Sequence, residues 1–88
     1  MTMISKEVIV GCESGLHNKQ ATYFVQKANE FSSSIWLETE NRKMNAKSLL
    51  GIMTMGILSG TKVTLSASGV DAQEAVDALE ALLLKDVY

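Results

Sequence analysis

Apolar and polar positions along this chain change period several times, and each change marks an element. In "KEVIVGC" (residues 6–12), Val8, Val10 and Cys12 fall on one face at period two, which predicts a strand that ends over Gly11–Gly15. From Asn18 to Glu30 the period lengthens: Ala21, Phe24, Val25, Ala28 and Phe31 recur on one helical face, leaving Lys19, Gln26, Lys27 and Glu30 for water. Ser32–Ser34 end that helix. "SIWLET" then sets Ile35 and Leu37 on one side and Trp36 on the other, "ENR" turns with Asn41 as the positive-φ residue, and "RKMNA" supplies a short returning arm. "TKVTLSAS" alternates Val63, Leu65 and Ala67 with hydroxyl residues, a strand with one wet face that Gly69 closes. Finally, "DAQEAVDALEALLL" places Ala72, Ala75, Val76, Leu79, Leu82 and Leu83 on one helical stripe, with Asp71 as N-cap and Glu74 as its capping-box partner.

Between the hairpin and the last strand, "SLLGIMTMGIL" is too apolar to have a single buried face and reads as a short helix. The order is strand, helix, strand, strand, short helix, strand, helix (βαββαβα). Since each strand has one apolar face, the expected packing is α+β: a four-stranded, mainly antiparallel sheet covered on one face by two long helices and one short one. The 88 residues carry no internal repeat and no boundary, so a single domain over 1–88 is expected.

Composition narrows the function classes. Eight basic and ten acidic side chains give −2, which offers no overall pull toward nucleic acid or anionic lipid. Cys12 is alone, so no intrachain disulfide and no multi-cysteine metal site can form, and nothing calls for a metal or a cofactor. "MTMISKEVIV" lacks a basic region followed by a long apolar run, and no stretch approaches the roughly 18 apolar residues of a membrane span, so a cytoplasmic protein without membrane insertion is expected. Neither Cys12 nor Trp36 acquires a role from its pattern.

The chemistry concentrates in "GLHNKQAT" (residues 15–22), which holds the only histidine. With His17 as N-cap, Asn18, Lys19 and Gln20 form the first helical turn, whose amides lack intrahelical acceptors and carry the positive end of the macrodipole. Such an end holds an anion and disfavours an imidazolium, so His17 reads as a neutral nucleophile able to accept a phosphoryl group. The main-chain amides of 18–20 and the Lys19 ammonium would then hold the phosphoryl oxygens. Two other readings stay open: Asn18 is the better capping residue by type, and a lone histidine beside a loop is commonly just solvated. Gln20 favours His17 as the cap, because it stands three residues on, as in a capping box.

"GLHNKQAT" resembles the phosphohistidine motif of the HPr family, the histidine-containing phosphocarriers of the bacterial sugar phosphotransferase system. "RKMNAKSLLGIMTMG" resembles that family's second motif, around a regulatory serine, here Ser48. Asn18, Lys19 and Gln20 stand where the pattern has a small residue, arginine and proline; lysine keeps the charge without the planar fork, and glutamine restores a main-chain N–H. The resemblance implies the HPr fold, an open-faced β-sandwich, over essentially the whole chain. It also implies a carrier that takes phosphate from enzyme I on His17 and passes it to sugar-specific components. "FVQKANEF" and "NAKS" are also similar to the catabolite-repression HPr-like proteins, which lack the histidine and act through phosphoserine on a transcriptional regulator. In that reading a serine kinase/phosphorylase modifies Ser48.

By residue type Ser48 is an N-cap before the apolar run, and a phosphate there would sit on a helix N-terminus with Lys47 nearby. Leu49, Leu50 and Met53 cannot all face inward with Ile52, Met55 and Ile57, so part of the run forms an exposed, methionine-bearing patch. The resemblance makes Leu49, Leu50 and Met53, with Lys47, Thr22 and Gln26, the surface that docks partner proteins. An unrelated α+β module binding a small ligand or nucleic acid is disfavoured by the acidic balance and the lack of an aromatic–basic stripe.

Overall fold

The computed structural model describes residues 3–16 and 18–86. Seven elements follow the anticipated order: β1 (Met3–Ile9), α1 (Asn18–Ala28), β2 (Ser34–Glu38), β3 (Lys43–Asn45), α2 (Leu49–Thr54), β4 (Lys62–Ser68) and α3 (Ala72–Leu84). The strands form one sheet in the order β1–β4–β2–β3, every pair antiparallel. Period-two alternation sets the register. Val8 pairs with Val63, Ile35 with Ala67, and Leu65 with Leu37, which in turn pairs with Met44. These side chains form one apolar face, and α1 and α3 bury it together with Leu16, Phe24, Ile52, Ile57, Leu79 and Leu83.

α1 stops at Ala28, two residues short of the periodicity's limit. Glu30 N–H donates to Lys27 O (3.0 Å) and Phe31 N–H to Ala28 O (3.3 Å), so the chain tightens into i→i−3 bonds and leaves Phe31 only partly buried against the core.

The α3 capping box does not form as its sequence suggests. Asp71 occupies the N-cap position, but its carboxylate makes no capping bond. It accepts instead from Ser32 N–H (2.9 Å), Ser33 N–H (2.9 Å) and the Ser33 hydroxyl. The turn before β2 presents two main-chain donors side by side, and a carboxylate with two oxygens satisfies both. Ser33 is buried there, and a Cβ at Gly69 (φ 146°) would lie 2.5 Å from its hydroxyl oxygen, so both residues are small for steric reasons.

The Ser33 hydroxyl and the Ser32 main-chain amide hold Asp71 down from 3.8 to about 2. A depressed folded-state pKa stabilises the fold above the unfolded value and ceases to as pH falls through the folded one. Asp71→Asn is therefore expected to lower the urea midpoint at pH 7, with the gap to the parent closing as pH falls from about 4 toward about 2. A gap that stays constant across that window would contradict this linkage.

The outer sheet face is less wet than its hydroxyl pattern predicts. Ser66 is buried: it lies on the central strand with Trp36 as its cross-strand neighbour, and its hydroxyl is 3.1 Å from that of Ser5. The Lys43 ammonium lies 5.3 Å from the Trp36 ring centroid.

Candidate functional site

His17 lies outside the described residues, as does the Asn18 side chain, and with them the expectation that His17 caps α1. The neighbours on both sides are defined. Before it, Gly15 turns at φ 74° and donates to Cys12 O (3.0 Å), and Leu16, fully buried, donates its N–H to Ile57 O (2.9 Å). A Cβ at Gly15 would press into the Ile57 carbonyl oxygen and come 3.0 Å from Leu58 Cα. After it, α1 begins at Asn18 with no acidic residue in its first turn, so nothing on the helix neutralises the positive end of its dipole. Lys19 is exposed there.

The C-terminal end of α3 holds both flanks. Helix ends leave carbonyls without partners, and the last turn of α3 has no basic residue to answer them. Leu83 O accepts from Gly11 N–H (2.8 Å) and Cys12 N–H (3.2 Å). The Gln20 side-chain amide donates to Leu82 O (2.6 Å) and Lys85 O (3.0 Å), and Glu13 N–H donates to the Asp86 carboxylate (2.8 Å). The side chain of Gln20, expected as the capping-box partner of residue 17, points to α3 instead. It is buried, and both of its amide protons are engaged at the C-terminal end of α3. Cys12 is buried beside this junction, and burial pushes its thiol up, away from nucleophilic use.

The second motif sits at the other end of α1. Ser48 caps α2 as its sequence predicts, its hydroxyl accepting from Gly51 N–H (3.1 Å). Lys47 is not beside that hydroxyl's task. Its ammonium donates to Phe31 O (2.7 Å), just past the C-terminal end of α1, where carbonyls lack helical partners and a cation is favoured. Asn29 reinforces the junction by donating to Val25 O (2.8 Å) and Lys47 O (3.2 Å). Since the 11-residue α1 is about 16 Å long, a phosphate on Ser48 and one at the α1 N-terminus occupy separate sites.

α2 packs on α1 and β3 between those two ends. Ile52 is its buried anchor, and the Arg42 guanidinium donates to Thr54 O (2.7 Å) at its last turn. Leu50 is 76% exposed, Met53 44% and Leu49 39%, which is the outward patch the sequence requires. On α1, Gln26 is exposed and Thr22 half-buried. Leu58, 63% exposed after α2, extends the apolar surface and was hidden in the sequence because the run around it has no period.

The family model described as the PTS HPr component phosphorylation site matches residues 4–85. The chain belongs to the HPr phosphocarrier family. Among HPr relatives, the HPr-like protein Crh of Bacillus subtilis (strain 168) is 42% identical over 85 residues, spanning 97% of this chain and 100% of that protein. The phosphocarrier protein HPr of Vibrio cholerae is 41% identical over 81 residues, spanning 92% of this chain and 95% of that protein. The crystal structure of HPr from Bacillus anthracis superposes with a TM-score of 0.91 at 40% identity, covering 94% of this chain and 99% of that one. The HPr fold thus accounts for the sheet order, the helical layer and the position of both motifs. No helix among the described residues is long and apolar enough to cross a membrane.

Proposed function

We propose that this chain is a cytoplasmic phosphocarrier of the phosphoenolpyruvate-dependent sugar phosphotransferase system, with His17 as the acceptor. The observation that supports it most is the anchoring of both flanks of residue 17. Leu16 is tied to Ile57, and the first turn of α1 starts at Asn18 with no acidic residue in it. In this reading an imidazole nitrogen of His17 attacks phosphorus as the bond to the enzyme I donor breaks, and the transferred group is met by the positive N-terminal end of α1 and the Lys19 ammonium. The same nitrogen later surrenders the group to a sugar-specific component. Lysine in place of the motif arginine keeps a charge on the phosphoryl oxygens without bidentate contact.

The test is incubation with enzyme I and phosphoenolpyruvate, followed by mass spectrometry. An acid-labile gain of about 80 Da, one phosphoryl group, is expected. No gain, with a control HPr labelled in parallel, removes the carrier role.

Docking falls to Leu49, Leu50 and Met53, with Lys47, Thr22 and Gln26 at the margins. Leu50→Glu is expected to raise KM for enzyme I roughly tenfold or more, because an exposed apolar anchor becomes a charge to be desolvated. Its melting transition should stay within about 0.5 kcal/mol of the parent, as for most surface changes. An unchanged KM would move the docking surface elsewhere.

A second reading draws on the Crh relatives at 42% and 44% identity over their full lengths. In it, phosphorylation of the exposed Ser48 by a serine kinase/phosphorylase adds charge at the edge of the α2 patch and selects a catabolite-control transcriptional regulator. Regulator binding that depends on phospho-Ser48, in a protein that enzyme I leaves unlabelled, would favour this adaptor role over the carrier.

A further inference from the structure

The apolar patch sits on α2, which spans six residues, Leu49–Thr54, and has Ile52 as its one buried side chain. A helix of that length does not hold its shape alone, so its ends depend on the elements around it. At the first turn Ser48 caps Gly51 N–H, and Met44 Sδ of β3 lies 3.5 Å from where a Cβ on Gly51 would stand. At the last turn, where helical carbonyls run out of partners, α2 has no basic residue of its own. The cation comes from the β2–β3 turn instead: the Arg42 guanidinium donates to Thr54 O at 2.7 Å. Arg42 is itself fixed in that turn, since its carbonyl accepts from Thr39 N–H at 2.8 Å. A charge-assisted bond from a closed hairpin thus restrains the turn that carries Met53, just before the chain runs on to the exposed Leu58.

We propose that Arg42 is a positioning residue for partner docking: its guanidinium holds the last turn of α2 and so sets how Leu50, Met53 and Leu58 are presented together. The inference rests on the reading of that patch as the surface that meets enzyme I. Arg42 acts through the helix rather than through its own charge on the partner. Without its bond to Thr54 O the last turn frays, and ordering that the hairpin supplies in advance has to be supplied on binding. The loss falls on association, while Ile52 and the sheet beneath it keep their packing.

The test titrates enzyme I with the parent, Arg42→Ala and Arg42→Lys, read as a dissociation constant so that no phosphoryl transfer is needed. Amide hydrogen exchange of each free protein runs beside it. Arg42→Ala is expected to weaken binding about fivefold or more. Its Met55 and Gly56 amides, bonded to Ile52 O and Met53 O, should exchange on the order of tenfold faster. Arg42→Lys keeps a cationic donor for a single carbonyl and should return most of both effects. A double-mutant cycle with Leu50→Ala separates positioning from contact: when Arg42 works through the patch, its loss costs less than about twofold once Leu50 is gone. Weaker binding of Arg42→Ala with parent-like exchange, or effects at 42 and 50 that simply multiply, would overturn the proposal and make Arg42 a direct contact. Parent-like binding despite faster exchange would overturn it as well. A parent that enzyme I does not bind would end the enzyme I docking reading, and parent-like exchange in Arg42→Ala would still overturn the hold of Arg42 on α2.

Discussion

Replacing His17 by alanine is expected to remove every acid-labile phosphoryl adduct while leaving a cooperative unfolding transition. Phosphoryl transfer through a carrier needs a nucleophile whose bond to phosphorus is easily made and broken, and His17 is the only imidazole in the chain. The Cys12 thiol is buried and pushed up by burial. Serine phosphate, by contrast, survives acid. If Ser48 is modified by a serine kinase, the His17→Ala protein keeps that acid-stable adduct, and the two modifications are read separately in one spectrum. An acid-labile adduct that persists in His17→Ala would show a different acceptor and end the assignment.

Gly15→Ala carries the second large effect, and it acts on the fold and the site together. The backbone at Gly15 is in the left-handed region at φ 74°, where a Cβ costs about 1–2 kcal/mol. The new Cβ also meets main chain, the Ile57 carbonyl oxygen and Leu58 Cα, which cannot rotate away as a flexible side chain would. Together these are expected to destabilise the protein by about 3 kcal/mol, on the order of 15 °C in Tm for a chain of this size. Relief of the clash pushes the 15–16 segment off the 57–58 segment, and the Leu16–Ile57 hydrogen bond is the first to stretch. The labelling rate should then fall even at temperatures where the variant is folded. A Tm within about 2 °C of the parent would mean that the turn accepts a side chain at this position.

The junction at Gly15 also illustrates how a local signal and a distant cause combine. A glycine two residues before the histidine is visible in the sequence, but the reason for it is the carbonyl of Ile57, more than forty positions away. Asp71 and Lys47 tell the same story. Their residue types are those of an N-cap and of a phosphate neighbour, and each has a stronger local option nearby: paired amides at Ser32–Ser33 for the carboxylate, and the Phe31 carbonyl for the ammonium. Propensity names what a side chain can do; tertiary packing decides which partner it reaches first.

Local sequence by itself determined the element order and the inward faces of the strands and helices through periodicity, the Ser48 cap through residue type, and the apolar excess of the 48–58 run through composition. Each of these follows from spacing and burial within a short window. The two motifs determined the family and the candidate acceptor, because they require particular residue types at fixed positions. Only the tertiary structure decided that α3 braces the segments on either side of residue 17, that the Gln20 side chain reaches α3, and that the segment carrying Ser48 lies by the C-terminal end of α1. Helix termini carry unpaired backbone groups, and their partners come from whatever the fold brings alongside, which no local pattern encodes.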